Sequence, residues 1–441
     1  MNRRDFIRTG STAAAAGLFV RPETKKSQRM KVALVGTGIR GSTMWGRNLI
    51  RDYANEVEYV GLCDHNPGRL EYVKQYMGAS CPTFTDFDEM IRVTGPDTVI
   101  VTTVDSTHHQ FIIRAMELGC DVVTEKPMTT DAQKCQAILD TQALTRKNVT
   151  VTFNYRYSPH RQAMKELLMN NRIGKVTSVD FHWYLDVYHG ASYFRRWHGK
   201  ERFGGTLFVH KATHHFDLLN WWLESEPEEV FAYGDLEYYG HNNEFRHTNC
   251  RGCPHASKCK HYWDITESES SMNLYVAHEH HDGYLRDGCV WSEEIDIYDK
   301  MSAQIQYANG VHVNYSCTTY SPYEGYRIAF NGTEGRLEAW IKERQPWEDE
   351  PFDELRVTDN FRQTELIQIP HGGGGHGGGD RRLQDHIFKG EDTPDPYRQA
   401  AGSRDGAMSV LIGVAARESV KTGEPVRIES LTSLKPRVVR P

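Results

Sequence analysis

The most constraining stretch of this sequence is Gly36-Thr37-Gly38-Ile39-Arg40-Gly41, set between a β-branched run, Lys31 to Val35, and a helical pattern reaching about Asp52. Alone, a GxGxxG spacing is weak; between a strand and a helix it has the context it needs. Gly36 allows a tight turn, Gly38 lets the backbone approach a pyrophosphate, and Gly41 permits close helix–strand packing. Amides left unpaired at the helix start then face phosphate oxygens. Thr37, Ile39 and Arg40 belong to the same turn, so all six residues are candidate dinucleotide contacts.

A second strand, Val57 to Cys63, ends in Asp64, 23 residues beyond Gly41. A carboxylate there accepts the ribose hydroxyls of an adenosine and repels a 2′-phosphate, which favours NAD; nearby Arg69 keeps NADP open. The competing reading of Asp64 is a cap for the helix after Pro67. Apolar runs at Asp97–Thr103 and Asp121–Thr124 flank a helical stretch from about His108 to Leu118. This alternation predicts a parallel, doubly wound sheet. Its ligand crevice lies beyond the strand ends, which bring Thr103, Asp105 and His108, then Glu125-Lys126-Pro127, to one place.

This order of motifs resembles the glucose–fructose oxidoreductase/inositol dehydrogenase (Gfo/Idh/MocA) family. Asn154-Tyr155-Arg156-Tyr157-Ser158-Pro159, Gly174-Lys175-Val176 and Ser403-Arg404-Asp405-Gly406 extend the likeness over roughly residues 31–430. The resemblance implies an α/β N-terminal Rossmann domain, 31–152, with a doubly wound parallel sheet. An α+β C-terminal domain with a large, mostly antiparallel open sheet follows at 153–430. It also implies that Asn154 belongs to the cofactor site and that Lys126 lies beside the nicotinamide and the reacting hydroxyl. An ammonium there polarises a hydroxyl and, with a lowered pKa, shuttles a proton. Strand-like alternation over 176–188, 227–238, 293–317 and 324–340 fits the second sheet, whose open face suits pairing into a homodimer or tetramer.

The segment Gly204 to Asp217 resembles the family's glycine-rich turn and catalytic helix. His214 and Asp217 fit its pattern, whereas His210 stands where many relatives have Asp and Lys211 adds a positive charge. His214 is the expected acceptor of the hydroxyl proton, with His210 a further catalytic candidate. Arg156, Tyr157, Lys211, Tyr320, Tyr323 and His376 are candidate substrate contacts. His376 lies in the glycine-dense run His371–Asp380, which resembles NAD-dependent glycosidases of the same superfamily.

Cys250, Cys253, Cys259 and the later Cys289 occupy a polar insert at about 240–292. A structural tetrahedral Zn²⁺ is the leading expectation, with disulfides or an iron–sulfur cluster as alternatives.

Asn2-Arg3-Arg4-Asp5-Phe6-Ile7-Arg8 and the apolar Thr9–Val20 resemble a twin-arginine export signal within residues 1–30; residues 431–441 form a tail. A run that short does not span a bilayer, so the expectation is a periplasmic protein without a membrane span. A formal net charge of −7 argues against nucleic acid as a partner. The expected partner is a small carbohydrate. The expected activity is hydride transfer at a hydroxyl carbon of a sugar, polyol or glycoside, with tightly bound NAD. The alternatives are an NAD-dependent glycoside hydrolase of the α-N-acetylgalactosaminidase kind and a non-catalytic sugar-binding relative. Export sharpens the demand on the cofactor, because no free NAD pool renews it outside the cytoplasm.

Overall fold

The computed structural model describes residues 29–390 and 394–440; the twin-arginine-like segment lies outside them. The run before the glycine turn becomes β1 (Met30–Val35), whose Val32, Ala33 and Leu34 are fully buried. With β2 (Val57–Cys63), β3 (Thr83–Phe84), β4 (Thr98–Val101), β5 (Asp121–Thr124) and β6 (Val149–Val151) it forms an all-parallel sheet in the order β3-β2-β1-β4-β5-β6. The order reverses between β1 and β4, and at such a switch point the strand ends part to open a crevice. Gly36 has φ +92°, and a Cβ there would stand 2.6 Å from the Thr102 carbonyl carbon. The turn therefore cannot accept a side chain.

The second sheet has nine strands: β7 (Val176–Asp186), β8 (Pro227–Asp235), β9 (Lys300–Tyr307), β10 (His312–Ser321), β11 (Glu324–Gly332), β12 (Gly335–Arg344), β13 (Phe352–Asp359), β14 (Thr364–Pro370) and β15 (Val426–Arg427). Their order is β14-β13-β12-β11-β7-β10-β9-β8-β15, antiparallel except where β7 and β10 run parallel. Strict alternation of burial along β9 gives one face to the core and leaves the other open. The covering helices are Pro159–Met169, Ala212–Leu223 and Ser403–Thr422. The last of these joins the domains: Val151 donates its amide to Ala401, and Gly406 packs against Val151 and Met128. Among the described residues no helix is long and apolar enough to cross a membrane.

Candidate active site

At the nucleotide end, Asp64 Oδ2 accepts from the Thr37 amide at 2.7 Å and from its hydroxyl at 2.9 Å, while Oδ1 accepts from the Asn66 amide at 2.9 Å. Asp64 thus ties the tip of β2 to the glycine turn. Asn66, not Asp64, caps the helix Pro67–Met77 by accepting from the Arg69 amide. A Cβ on Gly38 would meet only the Tyr275 hydroxyl, at 3.7 Å, so no backbone crowds the turn and the one group above it is a side-chain hydroxyl. The glycine turn and the carboxylate at the tip of β2 fit a dinucleotide.

The Cys/His insert folds back over that end of the crevice. The Ile39 amide, one of the helix-start donors, is satisfied by the Tyr275 hydroxyl at 2.9 Å. Asn66 Nδ2 donates to the His278 carbonyl and to Asp282, both at 2.9 Å. Arg69 donates to Asp282 at 2.8 Å and holds its guanidinium 5.6 Å from the Tyr275 ring. Sequence reading missed Tyr275 and Asp282, because contacts more than 200 residues apart leave no local pattern.

At the reactive end, Glu125 is buried between Arg40 Nε, 2.6 Å, and Trp45 Nε1, 2.7 Å. Arg40 also holds Asp380, which accepts from Asn154 Nδ2 at 2.5 Å and from His376 at 3.1 Å. Glu125, Arg40, Asn154 and His376 are therefore joined through Asp380 into one wall of the crevice. His108 sets its ring nitrogens against the backbone carbonyls of Pro127 at 2.8 Å and Thr103 at 3.1 Å; burial keeps the ring neutral, so it donates to one of them, and it sits as a brace between the two strand ends.

Lys126 donates from Nζ to the His210 carbonyl at 3.2 Å. Burial lowers its pKa to about 8, offset by Asp105 and Glu125 and aided by Lys211 and Arg40. The expected single helix breaks here: a single turn, Leu207–His210, is separate from the helix Ala212–Leu223, and Thr206 before it has φ +79°. The break points His210 at Asp105, Nδ1 to Oδ2 at 2.5 Å. Burial, then Lys126, Arg196 and Lys211, hold His210 well below the ordinary imidazole range, while burial pushes Asp105 up. His214 is likewise held neutral by burial, Lys126 and Lys211; its ring stacks 4.0 Å from Tyr155. Lys211 Nζ donates to the Tyr155 hydroxyl at 3.0 Å, and the His376 ring lies 5.6 Å from Tyr155. The crevice thus gathers Lys126, His210, His214, Lys211 and His376.

Four expected substrate contacts lie elsewhere. Arg156 is fully buried, donating to Asp217 at 2.5 and 2.8 Å and to Asp405 at 3.0 Å. It anchors the helix Ala212–Leu223 to the last helix, and Asp217 serves the same bond. Tyr157 packs in the core with Leu383 and Phe388. Tyr320 stacks on Tyr238 at 4.9 Å beside the insert. Tyr323 packs against Tyr184 and Trp347 at the open face of the second sheet.

The zinc expectation is also corrected. Cys250, Cys253, Cys259 and Cys289 line one small cavity with His261, and all four are unbridged. Yet among the described residues no three His, Cys, Asp or Glu side chains are arranged to hold a metal. Arg195 donates to Cys250 Sγ at 3.3 Å, placing a cation where a dication would need a free thiolate.

Residues 30–155 match the model "Oxidoreductase family, NAD-binding Rossmann fold", and residues 165–428 match "Oxidoreductase family, C-terminal alpha/beta domain". YteT of Bacillus subtilis (strain 168), named as an oxidoreductase, is 38% identical over 430 residues, covering 92% of this chain and 99% of YteT. The inositol 2-dehydrogenase/D-chiro-inositol 3-dehydrogenase of Lactiplantibacillus plantarum is 25% identical over 201 residues, 45% of this chain and 54% of that enzyme. Two solved structures share the fold. Levoglucosan dehydrogenase, in complex with NADH and levoglucosan, has a TM-score of 0.65 at 19% identity, covering 91% of this chain and 100% of its own. The WlbA dehydrogenase of Bordetella pertussis, in complex with NADH and UDP-GlcNAcA, has 0.63 at 18%, covering 91% and 99%.

Proposed function

The chain belongs to the Gfo/Idh/MocA oxidoreductase family, with an NAD-binding Rossmann domain, and from that premise we propose that it oxidises a hydroxyl carbon of a sugar or polyol with a tightly held NAD. The observation that carries this reading is Lys126: a buried amine with a pKa of about 8, at the end of β5. Such a group exchanges a proton near neutrality. When bound, NAD supplies the hydride acceptor. The neutral His214 imidazole donates a hydrogen bond to the substrate hydroxyl oxygen and orients it, while the hydroxyl proton points at the free amine of Lys126, which takes it as the C–H bond breaks. Asp105, held by His210 through Nδ1, faces Lys126 with a carboxyl charge that favours the ammonium formed there. This division of labour shifts the proton acceptor from His214 to Lys126, because an imidazole held so far below its usual range is a poor base.

Tight retention is supported by the insert. Tyr275 covers the phosphate turn, and Asp282 closes the adenosine end. Preference for NAD over NADP follows from the same contact: Arg69, the cation that would meet a 2′-phosphate, is neutralised by Asp282. Retention in turn suits export of a folded, loaded protein, which the Arg3-Arg4 segment favours. The open face of the second sheet, with Trp340 41% exposed, is the surface on which we expect two copies to pair.

A second reading, redox-neutral glycoside hydrolysis, is favoured by His376, an additional imidazole at the mouth of the crevice. One experiment separates the two. Protein purified without added cofactor is offered free sugars and polyols beside aryl glycosides. Growth of absorbance at 340 nm with a carbonyl product supports the oxidoreductase; aglycone release with no net change at 340 nm supports the hydrolase. Protein that carries no dinucleotide counts against both.

A further inference from the structure

Lys211 stands beside the reacting groups with two of its three donors unused. Its Nζ donates to the Tyr155 hydroxyl at 3.0 Å, and the Tyr155 ring stacks 4.0 Å from His214. That is its one hydrogen bond among the described residues, although Lys211 is only 3% exposed. Glu324, 5% exposed, falls short in the opposite sense. Its Oε1 lies 2.7 Å from His189 Nδ1, and its Oε2 is buried without a partner. Burial keeps His189 neutral, and a carboxylate only accepts, so Nδ1 carries the ring proton and Nε2 accepts from the Tyr193 hydroxyl at 3.1 Å. Nothing in that chain of bonds turns towards Oε2.

The two residues share one side of the crevice. Tyr326 of β11 pairs with Trp183 of β7, and their rings stack at 4.8 Å. Side chains alternate along a strand, so Glu324 falls on the same face as Tyr326 and Trp183. Lys211 lies against that face, its ammonium 5.0 Å from the Trp183 ring centre. From the other side, Tyr193 carries the Glu324–His189 bond to His210, the chain neighbour of Lys211, with rings 5.2 Å apart. Against burial, the His189 hydrogen bond and the Lys211 charge hold the Glu324 carboxyl below its usual range. Yet among the described residues no ion pair within 4.0 Å joins Lys211 to Glu324, so neither completes the other's hydrogen bonds. A buried acceptor and buried donors left over in one pocket each cost stability until a ligand meets them.

We propose that Lys211 and Glu324 read one hydroxyl of the substrate other than the hydroxyl that is oxidised: Lys211 donates to its oxygen, and Glu324 Oε2 accepts from its O–H. A hydroxyl suits the pair because it accepts and donates at a single atom. The subsite therefore selects a neutral sugar or polyol in which that second hydroxyl is free. Deoxygenation leaves both residues unpaired again, and methylation leaves Oε2 facing no donor. A carboxylate in its place meets Glu324, and an ammonium meets Lys211. This rests on the oxidoreductase reading for the place of the reacting hydroxyl, but not for the binding step.

The test titrates the NAD-loaded full chain calorimetrically with D-glucose, D-galactose, D-mannose and myo-inositol, while recording absorbance at 340 nm. The monodeoxy and mono-O-methyl derivatives of whichever binds most tightly follow. One position that is not oxidised should cost at least about tenfold in affinity on deoxygenation or methylation, as befits a hydrogen bond to a charged group. Glu324→Gln keeps an oxygen for His189 but turns Oε2 into a donor; Lys211→Met removes the ammonium. Each variant should weaken the parent sugar at least about tenfold and leave its deoxy derivative within about twofold, so that the discrimination disappears. Bound NAD and far-ultraviolet circular dichroism should stay unchanged. Indifference to Glu324→Gln, as a water between the two residues would give, equal binding of all derivatives, or no binding of any probe overturns the proposal. If a probe reduces the cofactor yet no position depends on both residues, the subsite falls and the oxidoreductase stands. If the discrimination appears and no probe raises the absorbance at 340 nm, the subsite stands and the oxidoreductase reading falls.

Discussion

Asp105 and His210 meet across the two domains, Oδ2 to Nδ1 at 2.5 Å, and each is buried. The bond joins the end of β4 to the broken turn before the helix Ala212–Leu223, so it forms only when the crevice is assembled. If the pair supports the ammonium that forms on Lys126, Asp105→Asn should lower kcat by about 10²-fold, the lower end of acid–base contributions, with KM little changed. His210→Asn should do the same. The double variant should lose no more than the worse single one, since the two residues act as a unit. Steady-state kinetics on the three variants checks this, and additive losses would dissolve the pair as a functional unit.

The pKa of about 8 at Lys126 fixes the sign of a pH dependence. Below it the ammonium cannot take a proton from the substrate hydroxyl; above it the free amine can. Oxidation should therefore rise about tenfold per pH unit below 8 and level off above it, and the reverse reduction should fall over the same range. Lys126→Arg keeps the charge but cannot deprotonate, so it should remove the rise altogether. A kcat profile from pH 6 to 10 measures both effects.

Much of this was legible in the sequence, for definite reasons. The turn Gly36–Gly41, Asp64 and Lys126 were readable because short β-branched runs bracket them, and strand ends in a parallel sheet converge on one crevice. The second sheet showed through its alternating faces, though β13 and β14 escaped: glutamates and aspartates on the strands thinned their hydrophobic period. Arg156 and Tyr157 misled, because a motif places residues near the site without saying which way each side chain points. Arg156 turned inward to Asp217, whereas its neighbour Tyr155 turned to Lys211 and His214. Tyr275 and Asp282 reach the site only through tertiary folding of the insert.

Asp282 gives a direct handle on cofactor choice. Asp282→Asn removes the charge that neutralises Arg69 and leaves the guanidinium to meet a 2′-phosphate. The ratio of NADP to NAD affinity should rise at least tenfold, read by fluorescence titration of cofactor-stripped protein. Tyr275→Ala removes the cover over the phosphate turn and should raise the loss of dinucleotide during gel filtration, read from the 260/280 nm absorbance ratio. Unchanged selectivity and retention would show that the insert does not hold the cofactor.

Arg156 separates a structural from a substrate-binding role. Its guanidinium is fully buried against Asp217 and Asp405; Asp405 also pairs with Arg440, so truncation leaves the Asp217 carboxylate without its partner in the interior. Breaking a buried pair from one side costs about 3–5 kcal/mol, and Arg156→Ala should lower the urea midpoint accordingly. Arg156→Met with Asp217→Leu removes both charges and should recover much of that loss, since an apolar pair of similar volume replaces a desolvated ion pair. The recovered protein should keep KM within about twofold of the parent, an effect under ~0.5 kcal/mol. A pocket arginine would behave oppositely: its loss would raise KM and leave the urea midpoint in place.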